Sequence, residues 1–265
     1  LVLDELLSNP PLPAVTREED DLAVLIFTSG TAGSPKAAML SHGNLLANIE
    51  QMIDTRGGGD PTDVGFGVLP LFHIYGLNVV LGAALAAGAS VLLVERFDPV
   101  SAIEAIEKHQ VTVLGGAPQM WASWTAMSDL EADVFSSVRV ATSGAAHLDP
   151  NVAETMRARF GIEISEGYGL TETAAPSHSN PAHLAKRQCL GMPFIGTESR
   201  VIDPESLAEV APGEIDQHRP QKDSKGTDDP TERRRRRQRQ FQPGEKGSGR
   251  EPGAQCQQIL HHASL

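Results

Sequence analysis

The chain has 265 residues, of which 40% are hydrophobic, and its formal net charge is −12. This length and composition predict a soluble globular protein with a sizeable core. The negative charge argues against nucleic acid as a partner of the whole chain. Two cysteines without CxxC spacing fit a reducing compartment, so we expect a cytoplasmic location.

The first informative segment is an apolar run over 22–27 that is followed by a loop over 28–36. The run predicts a buried strand. The loop is rich in hydroxyls and glycines and ends in a lysine, which lets backbone N–H groups and a positive charge approach an anion. It predicts a phosphate-binding loop, with a plain polar surface loop as the alternative. Pro35 and Ala37 flank the lysine and exclude a Walker P-loop.

The next elements alternate between helices and strands. Ser41 reads as a helix N-cap, because apolar residues at helical spacing follow it over 45–53. The nearly uncharged segment 77–94 is interrupted by small residues and predicts a buried helix and a strand rather than a membrane span. Further strands are predicted over 64–69, 111–114, 138–141 and 162–165, and helices from Pro99, through 121–124 and over 151–160. This order favours an α/β fold with a largely parallel sheet.

Two small-residue segments, 143–146 and 167–173, follow predicted strands. Ligands of parallel sheets bind at such carboxyl ends. Tyr168 lies between two glycines and offers a flat face to a base. Thr171 offers a hydroxyl to a phosphate, and Glu172 offers a carboxylate to Mg²⁺. A glycine-rich turn with an exposed acid is the alternative for the second segment.

Taken together, these motifs resemble those of the adenylate-forming (AMP-binding) enzymes, which include acyl-CoA synthetases, luciferases and peptide-synthetase adenylation domains. Residues 28–37 resemble the phosphate loop T-S-G-T-T-G-x-P-K-G, with Ala32 and Ala37 as departures. Residues 167–172 resemble G-Y-G-x-T-E, 143–146 resemble the adenine-contacting segment, and 70–76 resemble the acyl-pocket block of the fatty-acid branch. The resemblance covers roughly residues 10–215.

The resemblance implies the large N-terminal domain of the acyl-CoA synthetase fold, with mostly parallel sheets and flanking helices. It implies that a carboxylic acid reacts with ATP and Mg²⁺ to give an acyl-adenylate and then a coenzyme A thioester. The residues implied to hold the β- and γ-phosphates are Thr28, Ser29, Gly30, Thr31, Gly33 and Lys36. Those implied around the adenine and the α-phosphate are Gly144, Ala145, Ala146, Gly167, Tyr168, Gly169 and Thr171. Those implied at the acid and the metal ion are His73, Tyr75, Gly76 and Glu172.

The acid itself is left open by the sequence. The form of the 70–76 block favours a medium- or long-chain fatty acid. An aryl or amino acid is the alternative within the same chemistry. A non-catalytic remnant that binds a nucleotide or a partner protein is the alternative from another class.

The sequence changes character near residue 213. We expect residues 1–212 to form a partial AMP-binding domain. Residues 213–265 hold 11 Lys and Arg against 8 Asp and Glu and are rich in Gln and Gly, so we expect a basic, disordered tail. The T-G-D motif and the lysine-bearing domain of the family are not found, which predicts impaired catalysis and suggests a frameshift near codon 216. An arginine run over 233–237 offers nucleic-acid binding as a further alternative, but specific binding is not expected.

Overall fold

A computed structural model describes residues 8–10, 13–28, 35–56, 59–180, 189–203, 206 and 208–210. The tail over 213–265 and most of the loop over 28–36 lie outside these residues. The strands are β1 (Leu22–Thr28), β2 (Lys36–Ser41), β3 (Val64–Gly67), β4 (Ser90–Leu93), β5 (Val113–Gly116), β6 (Val140–Ser143), β7 (Ile164–Leu170), β8 (Ala175–Ser179) and β9 (Met192–Pro193). The helices are α1 (His42–Arg56), a π-helix (Tyr75–Gly82), α2 (Ala83–Ala86), α3 (Pro99–His109), α4 (Pro118–Thr125), α5 (Pro150–Phe160) and a 3₁₀ helix (Thr171–Thr173).

The main sheet has seven strands in the order β4-β3-β5-β6-β7-β8-β9. Its strands from β4 to β7 run parallel, whereas β8 and β9 are antiparallel additions at one side. A separate antiparallel hairpin is formed by β1 and β2. The expected α/β fold with a largely parallel sheet is therefore confirmed.

The two faces of the parallel sheet are filled in different ways. Side chains alternate between the faces of a strand, and Phe66, Leu114 and Ala141 all lie in the main core on one face. Trp121 and Trp124 of α4 pack there with no exposed surface, and their rings meet edge to face at 5.5 Å. The aromatic side chains thus fill this face of the sheet. The π-helix, α2 and part of α1 cover the other face.

Several elements lie where the sequence predicts them. Ser41 precedes α1, and its hydroxyl accepts a hydrogen bond from the backbone N–H of Asn44 at 3.2 Å. Asp98 caps α3 through the N–H of Ser101 at 2.9 Å, ahead of Pro99. Gly161 ends α5 with φ of 68°, a backbone conformation that glycine adopts without strain.

The structure differs from the sequence-based expectations at three places. The run over 22–27 is a strand, but only Ile26 in it is buried, and Phe27 is 72% exposed, because β1 pairs only with β2 in a small sheet. The sequence pattern does not predict the strand β2, which lies between the loop and the helix that follows Ser41. The strand predicted over 111–114 is instead β5 (Val113–Gly116), which includes both glycines and pairs with β6 through Ser143.

Within the described ranges, no helix is long and apolar enough to cross a membrane. The segment 77–94 instead folds as the end of the π-helix, α2 and β4.

Candidate functional site

A small hydrophobic cluster joins three of the motifs that the sequence analysis singled out. Its buried members are Ile26 of β1, Leu40 of β2, Ile74 between His73 and Tyr75, and Ala174 with Ala175 directly after the 3₁₀ helix. The hairpin that carries the phosphate loop, the 70–76 block and the 167–173 motif therefore pack on one another. Residues that are far apart in sequence, such as Ile26 and Ala174, thus meet in one cluster, and ligands of parallel sheets bind at the carboxyl edge of the strands.

The hairpin presents the two ends of the phosphate loop side by side. Thr28 is the register partner of Lys36, and its hydroxyl donates a hydrogen bond to the Lys36 carbonyl at 3.4 Å. The Lys36 side chain is exposed. Four further predicted phosphate contacts, Ser29, Gly30, Thr31 and Gly33, lie outside the described residues. The structure thus places the lysine at the mouth of a hairpin loop.

The 3₁₀ helix holds Thr171 and Glu172 next to that hairpin, since it packs against β2. The Glu172 side chain is exposed, and Thr171 is half-buried. The Thr173 hydroxyl fixes the turn by accepting from the Leu170 N–H at 3.0 Å and donating to the Ala175 carbonyl at 2.7 Å. Lys36 and Glu172 are thereby presented from neighbouring elements.

Tyr168 belongs to strand β7 and not to a glycine-rich turn, which was the alternative interpretation of this segment. Both Gly167 and Gly169 are in β7, and this strand pairs with β8. A Cβ on Gly169 would lie 2.0 Å from the carbonyl oxygen of Ala175, so glycine is required for this close approach. The Tyr168 ring is half-buried, and burial raises the pKa of its phenol. Its edge-to-face neighbour is His178, with ring centroids 5.9 Å apart.

His73 and Tyr75 are oriented by the start of the π-helix. The backbone N–H of Tyr75 donates to Nδ1 of His73 at 3.1 Å, so a neutral imidazole carries its proton on Nε2. The His73 side chain is exposed, which makes this Nε2–H available to an acid. Gly76 is buried, and a Cβ there would lie 2.3 Å from the Pro70 carbonyl oxygen. Its role in this structure is close packing of the backbone.

The Tyr75 ring reaches the end of the parallel sheet. Its hydroxyl lies 3.2 Å from the Thr142 hydroxyl in β6, and a Cβ on Gly144 would lie 3.1 Å from the ring. Gly144 follows β6 and is half-buried, whereas Ala145 and Ala146 are exposed. Ala145 has φ of 70°, which turns the chain sharply at this edge. The predicted acid-binding and adenine-binding segments are therefore in direct contact.

A cavity of about 110 Å³ lies below Tyr75, between the parallel sheet and the helices that cover it. It begins at Gly115 and Thr142, which both approach the Tyr75 hydroxyl, and it ends at Asp63 and Arg139. The apolar and small residues that line it are Met52, Ile53, Gly59, Gly65, Val79, Val80, Ala83, Ala84, Ala87, Ala89, Val113, Gly115 and Val140.

Asp63 and Arg139 form an ion pair at the far end of this cavity. The Arg139 guanidinium donates from Nε to Oδ1 of Asp63 at 2.7 Å and from Nη2 to Oδ2. The Thr112 hydroxyl donates to the same Oδ1 at 2.7 Å. Burial raises the pKa of the Asp63 carboxyl, but the hydrogen bonds from Arg139, Thr112 and the Asp60 N–H outweigh it and hold the pKa below its ordinary value. The opposite charges of Asp63 and Arg139 thus neutralise each other where these residues line the cavity.

Three polar residues of the site escaped the sequence analysis. Asn78 is buried, and its side-chain amide donates to the Ala174 carbonyl at 3.0 Å and to Oδ1 of Asn48 at 3.3 Å. Asn48 in turn donates to the Pro176 carbonyl at 2.8 Å. His178 bonds Ser177 through Nδ1 at 2.9 Å and Ser199 through Nε2 at 3.1 Å. A lone asparagine inside the apolar run over 77–81 was the one available signal.

Comparison with known proteins shows which family the chain resembles. A family model described as AMP-binding enzyme matches residues 3–218. A long-chain-fatty-acid–CoA ligase of Bacillus subtilis is 33% identical over 79% of this chain, and 4-coumarate–CoA ligase 2 of Petroselinum crispum is 34% identical over 75% of it. The ATP-bound crystal structure of MatB from Rhodopseudomonas palustris is 32% identical over 77% of the chain, with a TM-score of 0.71. The matched regions span 37%, 38% and 40% of these three proteins.

Proposed function

Because the chain belongs to the AMP-binding enzyme family, we propose that it takes part in ATP-dependent activation of a carboxylic acid. The acid attacks the α-phosphorus of ATP to give an acyl-adenylate and pyrophosphate, and coenzyme A then displaces AMP to give a thioester. The observation that carries this proposal is the cluster around Ile26, Ile74 and Ala174. It packs the predicted phosphate, acid and nucleotide segments at one edge of the sheet.

The polyphosphate would lie between Lys36 and Glu172. The Lys36 ammonium would balance phosphate charge. Thr171 supplies a hydroxyl for the α-phosphate. The Tyr168 ring would provide an apolar wall for adenine, and Ala145 and Ala146, which follow the neighbouring strand β6, are exposed.

A magnesium ion fits the donors present at this edge. Glu172 offers an exposed carboxylate, and Mg²⁺ in nucleotide sites uses one or two carboxylates together with substrate phosphates. Among the described residues no group of three or more acidic, His or Cys side chains forms a ready-made metal site. Glu172 would hold the ion together with the nucleotide phosphates. When bound, the ion neutralises charge on the phosphates.

His73 would orient the carboxylate of the acid. Its Nδ1 is occupied by the Tyr75 N–H, so Nε2–H is the donor that remains for a carboxylate oxygen. Such a hydrogen bond fixes the attacking oxygen near the phosphates without taking its proton. Tyr75 lies next to it and separates the polar edge from the cavity below.

The body of the acid would be apolar, which supports a fatty or an aryl acid. The cavity below Tyr75 is lined mainly by Val, Ala and Gly. The relatives named above include ligases for both kinds of acid. An amino acid is disfavoured, because its ammonium group needs a carboxylate partner, and Asp63 in this cavity is already paired with Arg139.

Two measurements on the 265-residue chain test the proposal. Calorimetry with MgATP should detect binding, and acid-dependent exchange of pyrophosphate into ATP should detect adenylation. Binding with exchange supports the enzyme. Binding without exchange favours the nucleotide-binding alternative, and the absence of both contradicts the proposed function.

A further inference from the structure

The sheet face that packs in the main core becomes polar at the carboxyl end of β6. Side chains two residues apart point to the same face of a strand. Ala141 of β6 and Ile164 of β7 are register partners that both pack in the main core, and the next partners on that face are Ser143 and Glu166. Glu166 therefore lies where the apolar core ends, two residues before Tyr168.

The Glu166 carboxylate bonds the chain segment that follows β6. Its side chain is 11% exposed, and Oε2 accepts a hydrogen bond from the backbone N–H of Leu148 at 3.3 Å. The His147 side chain is farther away, with 3.9 Å between its Nδ1 and the same Oε2. A bond from an N–H to a carboxylate is charge-assisted, and shielding from water strengthens it. The bond ties Leu148 to the strand that carries Tyr168.

This bond closes the turn over 144–148. At the start of the turn, the Gly144 N–H donates to the Gly116 carbonyl at 3.3 Å. At its end, the Leu148 side chain is buried in the main core, and its N–H donates to the carboxylate described above. Between these anchors, Ala145 is exposed and has φ of 70°. A left-handed backbone is unfavourable for alanine, so the turn depends on its anchors for its shape.

We infer that Glu166 is a positioning residue for the nucleotide, because it holds the turn over 144–148 in place beside Tyr168. This inference rests on the proposed function, in which adenine lies at the Tyr168 ring next to this turn. Without the bond, the end of the turn loses an anchor, and its exposed residues are free to move away from the ring. The phosphate contacts proposed for Lys36 and Glu172 lie on other elements. Glu166 therefore affects binding of the base and not of the phosphates.

The test compares Glu166→Ala with Glu166→Gln, whose amide oxygen still accepts the Leu148 N–H, and with Glu163→Ala. Glu163 is exposed just before β7, so its replacement removes the same charge and leaves the bond intact. Calorimetry on the 265-residue chain measures binding of MgATP and of magnesium tripolyphosphate, which has no base. Amide hydrogen exchange measures the protection of the Leu148 N–H, and thermal melts show that each variant is folded.

Glu166→Ala should weaken MgATP binding about tenfold, which corresponds to the loss of one hydrogen bond. It should bind tripolyphosphate at least as tightly as the wild type, because one negative charge is gone. Exchange of the Leu148 amide should accelerate about tenfold. Glu166→Gln should stay within about threefold of the wild type in MgATP affinity and in exchange. Glu163→Ala should leave both unchanged.

The outcomes separate this inference from the proposed function. Equal losses of MgATP and tripolyphosphate affinity in Glu166→Ala overturn the inference, since the change would then disturb the whole site. Unchanged MgATP affinity in this variant also overturns it, because the bond would then serve stability alone. A loss in Glu166→Gln as large as that in Glu166→Ala overturns it as well, since the charge and not the bond would be the cause. If the wild type binds neither compound, the proposed function is contradicted, and the inference falls with it.

Discussion

The Tyr168 ring stands edge to face against the buried imidazole of His178, with 5.9 Å between the ring centroids. The two residues are register partners across β7 and β8. The imidazole is held at both nitrogens by Ser177 and Ser199. The wall proposed for adenine is thus backed by a fixed, neutral ring, and the position of Tyr168 depends on it.

The first prediction concerns pH. Burial lowers the pKa of His178 below its ordinary value of 6.5. As pH falls below about 6.5 the unfolded chain therefore takes up a proton that the folded chain does not, and the free energy of unfolding decreases until the folded pKa is passed. Between pH 7.5 and 5.5 this decrease should be at most about 1.4 kcal/mol per pH unit from this group.

His178→Gln keeps a hydrogen-bonding side chain and removes the titration. Urea unfolding at pH 7.5 and 5.5 should therefore show a smaller loss of stability between the two pH values than in the wild type. An equal loss in both proteins would show that His178 is not the group responsible.

The second prediction concerns Lys36. Because its side chain is exposed, Lys36→Met should leave the melting temperature within about 2 °C of the wild type. It should weaken ATP binding about 10- to 100-fold, since a charge-assisted hydrogen bond contributes about 1.5–3 kcal/mol. Calorimetry measures this change.

Lys108→Met, at an exposed lysine in the last turn of α3, is the control and should bind ATP as the wild type does. Similar losses in both variants would mean that the effect is only one of net charge.

The third prediction separates metal binding from nucleotide binding. Glu172→Gln removes the carboxylate proposed to share Mg²⁺ with the phosphates. The gain in ATP affinity on adding Mg²⁺ should fall at least about fivefold. Without Mg²⁺ the variant should bind ATP at least as tightly as the wild type, because a negative charge beside the polyphosphate is gone.

Glu104→Gln, at an exposed position of α3, is the control and should keep the full Mg²⁺ effect. A wild-type Mg²⁺ effect in Glu172→Gln would exclude this residue as a ligand.

Most of the α/β order could be predicted from the sequence, because local signals coincide with the elements. Asp98 and Pro99 start α3, and Gly161 ends α5. The ends of strands were harder to predict where glycine takes part in the backbone pairing of the sheet, as Gly116 and Gly167 do. Glycine lowers strand propensity, yet here the backbone pairing of the sheet outweighs that preference.

The arrangement of the site depends on contacts that no local pattern encodes. Ile26, Ile74 and Ala174 meet through the packing of separate elements. The cavity below Tyr75 depends on which face of β3 and β5 the glycines occupy, and this follows only from the register. The sequence thus predicts which segments are functional, and the fold determines the space between them.

The fourth prediction concerns the buried amide of Asn78. Asn78→Leu has a similar volume but leaves the Ala174 carbonyl and the Asn48 side chain without this donor. We expect a loss of about 2 kcal/mol in the free energy of unfolding and weaker MgATP binding, because Ala174 directly follows the 3₁₀ helix with Glu172. Asn151→Ala, at an exposed position in the first turn of α5, should cost less than about 0.5 kcal/mol. A stability loss with intact MgATP affinity would limit Asn78 to a structural role.

The last prediction concerns the ion pair at the end of the cavity. The Asp63 side chain is 8% exposed, whereas that of Arg139 is 46% exposed. The carboxylate is therefore shielded from solvent, and the guanidinium is partly solvated. Since the folded pKa of Asp63 is lowered, its contribution to stability is present above a pH of about 4 and is lost as pH falls through the folded pKa. Asp63→Asn should therefore cost about 2 kcal/mol at pH 7. The exposed pair of Arg157 and Glu154 is the control, and Arg157→Gln should cost less than about 0.5 kcal/mol. Urea unfolding at pH 7 measures both, and equal costs would show that burial of Asp63 gives the pair no special weight.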